Sequence, residues 1–158
     1  MKKTVYFLSF ILALVLFSSC SKSIVFEETV CFPDANWTFE QKEVTFNVPF
    51  TGSDKPYAVI IDIDLIGTPN VDKFYSSFTI FTPNGGKTVK TLHINFETPK
   101  EPFIKGANPN EKTYRLTAYP KKYFSETGIY KFEINQFSNK ADNYGIKGVR
   151  LRIEKVKE

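Results

Sequence analysis

Asp62 and Asp64 stand two residues apart in an alternating run, Tyr57-Ala58-Val59-Ile60-Ile61-Asp62-Ile63-Asp64-Leu65. In a strand that spacing puts both carboxylates on one face, about 6.5–7 Å apart. Carboxylates so placed can serve a glycosidase, or ligate Ca²⁺ through oxygen. The same alternation supplies a plainer reading. Val59, Ile61, Ile63 and Leu65 make a core face, which leaves both aspartates on the solvated side. His93, the single histidine, sits between Leu92 and Ile94 and belongs to a polar face. No cysteine or acidic pair stands near it at zinc-ligand spacing. The sequence contains no G-x-S-x-G, phosphate-loop or H-E-x-x-H pattern. With no nucleophile–base constellation, the expectation is no catalytic residue, no metal site, no cofactor and no enzyme activity.

Trp37 is the lone tryptophan, in Asp34-Ala35-Asn36-Trp37-Thr38-Phe39. An exposed aromatic among polar residues can carry a sugar ring. A large aromatic beside Phe39 more readily plugs one end of a core, and that is the expectation. Asn36-Trp37-Thr38 matches the N-glycosylation pattern by chance.

Of the two cysteines, Cys20 has the more informative setting. Lys2 and Lys3 precede a thirteen-residue apolar run, Val5 to Phe17, broken only by Ser9. A basic start, an apolar stretch of that length and small residues after it make a secretory signal peptide. A span of the hydrocarbon core needs about 20 apolar residues. The run ends in Ser18-Ser19-Cys20, and small residues just before a cysteine resemble the signal read by the lipoprotein signal peptidase. That resemblance implies diacylglycerol on the Cys20 thiol, cleavage before Cys20 and acylation of the new amine. Several acyl chains on one residue hold a protein at a membrane as a single chain does not. Lipid on Cys20 leaves Cys31 alone and rules out an internal disulfide. Cys31, between Val30 and Phe32, is expected to pack as a small apolar residue.

Removal of residues 1–19 leaves 139 residues, enough for one domain with its own core. Lys2 and Lys3 leave with the signal. Lys and Arg then number 19 against 17 Asp and Glu, and the net charge falls from +4 to +2. No basic block stands out, so a nucleic-acid partner is not expected.

Residues 20–23 form a lipidated N-terminus and a minimal tether, and residues 24–158 carry period-two alternation nearly throughout. Ile24 and Phe26 begin it. Val44, Phe46, Val48 and Phe50 continue, with Pro49 marking either an edge strand or a strand that ends near there. The Tyr57–Leu65 face follows, then Phe74, Phe78 and Ile80. Pro83-Asn84-Gly85-Gly86 supplies a hairpin turn, and Leu92, Ile94 and Phe96 return. Tyr114, Leu116 and Ala118 make a short strand. Tyr130, Phe132 and Ile134, then Val149, Leu151 and Ile153, complete about eight. The expected fold is all-β, an antiparallel sandwich or jelly roll. The stretch Thr98 to Lys112 is the longest irregular one and is expected to be functional or mobile. The polar connection from Ser138 to Gly148 is expected at the surface.

The C-terminal third is more specific. Gly128-Ile129-Tyr130-Lys131-Phe132-Glu133-Ile134-Asn135-Gln136 is followed by Tyr144-Gly145-Ile146-Lys147-Gly148-Val149-Arg150-Leu151-Arg152-Ile153-Glu154. This pair of strands resembles the C-terminal signature of the GldH-type gliding-motility lipoproteins of Bacteroidota. Trp37, the next two strands, the length and the Cys20 region follow the same order of elements. The resemblance implies an envelope role in gliding motility or the associated secretion machinery, and brings no catalytic residues with it. The expected partners are therefore a membrane, through lipid on Cys20, and envelope proteins. A surface glycan bound by a jelly-roll module is the alternative. Ser21-Lys22-Ser23 after the cysteine lacks the acidic residues of surface-exported lipoproteins, which favours a periplasm-facing anchor.

Overall fold

The computed structural model describes residues 23–156. The leader, Cys20 and the first tether residues lie outside the described residues. Nine strands follow in chain order: β1 (Ile24–Cys31), β2 (Glu43–Thr51), β3 (Tyr57–Ile66), β4 (Lys73–Phe81), β5 (Lys87–Asn95), β6 (Ile104–Lys105), β7 (Glu111–Lys122), β8 (Thr127–Phe137) and β9 (Ile146–Lys155). They build two antiparallel sheets, ordered β1-β9-β3-β7-β6 and β2-β8-β4-β5. The fold is the all-β sandwich that the alternation predicts. The ninth strand comes from within the stretch expected to be irregular. Ile104 pairs with Thr113 and Lys105 with Lys112, a two-residue arm too short to show as a period.

The in-phase residues meet between the sheets. Tyr130, Phe132 and Ile134 of β8 share one buried cluster with Val149, Leu151 and Ile153 of β9, and the two strands lie in facing sheets. Pro49 sits in β2, an edge strand, as its missing N–H requires. The β4–β5 hairpin closes through Thr82 and Gly86, with Gly85 at φ 85°. The Ser138–Gly148 connection is mostly at the surface, but Asn143 and Ile146 turn inward and are buried.

Trp37 plugs one end of the core. It is fully buried, stacked on Phe32 at 5.1 Å and edge-on to Phe74 at 5.9 Å. Its Nε1 donates to the Gln41 carbonyl at 2.9 Å, and Asn143 Nδ2 donates to the Trp37 carbonyl at 2.8 Å. Its neighbour Phe39 is not part of the plug, and Cys31 departs from the expected packing. Phe39 is exposed, with the Lys42 ammonium 5.0 Å from its ring centre. Cys31 is exposed as well. Alternation explains it, since Val30 and Phe32 take the inward positions and Cys31 between them points out.

The two ends of the sandwich differ. Lys155 N–H donates to the Ser23 carbonyl at 2.7 Å, and Tyr57 pairs with both Lys155 and Lys122. The described chain therefore enters where β9 and β7 finish and β3 starts. Trp37, the β8–β9 connection and the first residues of β4 lie at the opposite end.

Candidate functional site

The two aspartates lie on β3, the central strand of the larger sheet. Cross-strand register sets Asp62 opposite Arg115 of β7 and Arg150 of β9. Arg115 Nε and Nη2 donate to the two Asp62 oxygens at 2.8 and 2.7 Å, a bidentate pair. Arg152 Nη2 stands 3.8 Å from Asp62 and its Nε 2.7 Å from Glu27. Asp64 accepts from the Thr113 hydroxyl at 2.6 Å and pairs with Arg150. The solvated side expected for this pair is thus roofed by arginine stems. Asp62 is 0% exposed and Asp64 is partly buried. The hydrogen bond from Arg115 to Asp62 raises the arginine above its ordinary value, against the effect of burial. Both Asp62 oxygens are held by one guanidinium, so the carboxylate is fixed as an acceptor in an ion ladder. Among the described residues no three His, Cys, Asp or Glu side chains converge as metal ligands.

The exposed feature with recognition chemistry lies on the smaller sheet, at the end away from Ser23. In register across β5, β4 and β8, His93 stands beside Tyr75 and Tyr75 beside Phe137. All three point outward, with Tyr75 56% and Phe137 58% exposed. The Tyr75 and His93 rings meet edge to face at 4.6 Å. A cleft of about 380 Å³ opens beside them, lined also by Lys73, Asn95 and Asn139. Asn95 is fixed there, since its Oδ1 accepts from Glu97 N–H and Thr98 N–H at 3.0 Å each. Adjacent exposed rings beside amides and a lysine can bind flat or apolar groups and orient them by hydrogen bonds.

The sequence-predicted residues are not brought together here. His93 joins the row on its expected polar face, while Trp37 is core and the aspartates lie on the other sheet. Tyr75 and Phe137 were not singled out from sequence, although the signal is present. Phe74, Ser76 and Phe78 set the inward phase of β4, and Tyr130 to Gln136 that of β8. Tyr75, Phe81 and Phe137 are the aromatics out of phase with those faces, and Phe81 is covered by Lys87 and Lys131, which leaves Tyr75 and Phe137 exposed.

No family model matches the chain. It is 28% identical over 157 residues to the gliding motility lipoprotein GldH homolog of Christiangramia forsetii, covering 92% of this chain and 93% of that protein. Among solved structures, dimeric latent PorU from Porphyromonas gingivalis overlaps 87% of the chain at 10% identity and a TM-score of 0.36. The chain spans only 14% of that structure, and a likeness this loose carries nothing further. The end-to-end match with the GldH homolog joins the strand signature of the C-terminal third, and over nearly its whole length the chain is similar to the GldH-type gliding-motility lipoproteins.

Proposed function

We propose that the mature chain is a non-catalytic lipoprotein, anchored by lipid on Cys20, that binds an envelope protein of the motility or associated secretion machinery through the row His93, Tyr75 and Phe137. One observation carries the reading. Two large aromatics and a histidine stand exposed on neighbouring strands, at the end of the sandwich farthest from the anchored terminus. Clustered exposed aromatic surface marks interaction sites, and interfaces are enriched in such side chains. The non-catalytic part rests on the ion ladder, which ties up the one carboxylate pair suited to acid–base work. The neutral-to-basic Ser21-Lys22-Ser23 segment favours a periplasm-facing anchor.

A glycan is the second reading, favoured by the amides of Asn95 and Asn139 beside the Tyr75 ring, a pairing suited to a stacked sugar. A photo-crosslinking amino acid placed at position 75, 137 or 47 in cells separates the two. The protein reading expects a discrete heavier adduct from positions 75 and 137 and none from position 47, on the same sheet face. Uncrosslinked chain at all three positions contradicts it. Retention on envelope polysaccharide that Tyr75→Ala abolishes supports the glycan instead.

A further inference from the structure

We infer that the strand ends around Ser23 form a lysine collar that rests on anionic phospholipid headgroups. This rests on the reading of Cys20 as the lipidated residue. Ser23 lies three residue steps beyond Cys20, with Ser21 and Lys22 between them, and an extended chain spans at most about 3.6 Å per step. The end of the sandwich that receives Ser23 is therefore held within about 11 Å of the lipid surface. That is close to the reach of an unscreened surface charge, about 8 Å at physiological salt.

The residues at that end suit such a surface. Lys122 and Lys155 flank Tyr57 in register, Lys121 precedes Lys122, and Lys55 lies in the connection into β3. Lys55, Lys121 and Lys155 are exposed and join no ion pair among the described residues. Asp54, Glu126 and Glu154 are the nearby carboxylates; Glu126 accepts from Asn84 N–H at 3.2 Å, and Glu154 stands 3.7 Å from Arg152 Nη1. Lysines elsewhere are more often engaged. Lys131 pairs with Glu133 and Lys147 with Glu111, Lys42 and Lys112 lie over phenylalanine rings, and Lys90 donates to the Ala118 carbonyl. Tyr123, 58% exposed, stands directly after Lys121 and Lys122. Tyrosine favours the headgroup level, where its ring is shielded and its hydroxyl stays wet. The collar would fix the tilt of the domain and aim the Tyr75 row away from the membrane.

The test uses the full-chain lipoprotein reconstituted into vesicles of phosphatidylglycerol and phosphatidylethanolamine, or of phosphatidylcholine alone. Lysines are acylated with a water-soluble reagent and read by peptide mass spectrometry. One lysine near an anionic surface changes its partition about fivefold. Lys55, Lys121, Lys122 and Lys155 are expected to react about fivefold more slowly in the anionic vesicles, relative to Lys73 and Lys140 at the other end. High salt should remove the difference. Protein that floats with both vesicle types and shows no such difference overturns the collar while leaving the anchor standing. Protein that floats with neither overturns the anchor and the collar together.

Discussion

At the scale of single residues, alternation places a side chain on a face but does not say what covers that face. Asp62 lies on the polar side of β3, as its spacing implies, yet it is wholly buried because arginines from two neighbouring strands close over it. Nothing in the local spacing reveals this, since Arg115 and Arg150 are 53 and 86 residues from their partners Asp62 and Asp64. Breaking a buried pair leaves an uncompensated charge. Asp62→Ala should lower unfolding free energy by about 3 kcal/mol, toward the low end for such pairs because the arginines keep some contact with water. Urea unfolding measures it, and a loss near zero would mean the ladder is ornamental. Acid should act through Glu133 and Glu111. Burial works against the charge on Glu133, but hydrogen bonds from Lys131 and Asn135 outweigh it and hold the group below its ordinary 4.5. Glu111 is held down chiefly by its hydrogen bond from Lys147. A depressed carboxyl binds fewer protons folded than unfolded, so its stabilisation is present above the unfolded value and lost as pH falls through the folded one. The urea midpoint should stay level from neutral pH to about 5.5 and fall below about 4.5. A midpoint that rises on acidification over that window would contradict the sign.

At the scale of elements, the period-two reading of the sequence recovers the strands well, because one face of each is buried and a slip of one residue would expose it. The exceptions are short, or carry a side chain at odds with the face it occupies. β6 is two residues long and invisible as a period. Cys31 follows its outward phase although its residue type favours burial. Tyr75 and Phe137 keep their phase but break its chemistry, and that conflict is what points to a binding role. The glycines of the C-terminal signature have a physical reason too. Gly145 has φ 88°, and a Cβ there would lie 2.8 Å from the Pro69 backbone. It lets the β8–β9 connection pass against the β3–β4 connection. Gly85 has a similar φ of 85° with open space around it. Gly85→Ala should therefore cost about 1 kcal/mol, the conformational penalty alone. Gly145→Ala should cost about 3 kcal/mol, since strain and overlap add. Thermal unfolding compares the two, and equal shifts would show that the close approach relaxes freely.

At the scale of the whole molecule, the fold sets two exposed features toward opposite ends. Ser23 and the lysine-bearing strand ends stand at one end, and the row His93, Tyr75 and Phe137 stands near the other. If Cys20 carries the lipid, so short a link keeps the Ser23 end of the sandwich nearest the membrane, because Ser23 is hydrogen-bonded to β9. The proposed binding face lies away from the proposed anchor, and both proposals depend first on lipid at Cys20. Metabolic labelling with a tagged palmitate analogue, followed by membrane fractionation, tests it most directly in cells making wild type or Cys20→Ala. The account predicts label and membrane association for wild type, and for Cys20→Ala no label with release from membranes or an uncleaved precursor. Equal labelling of the two chains would contradict it.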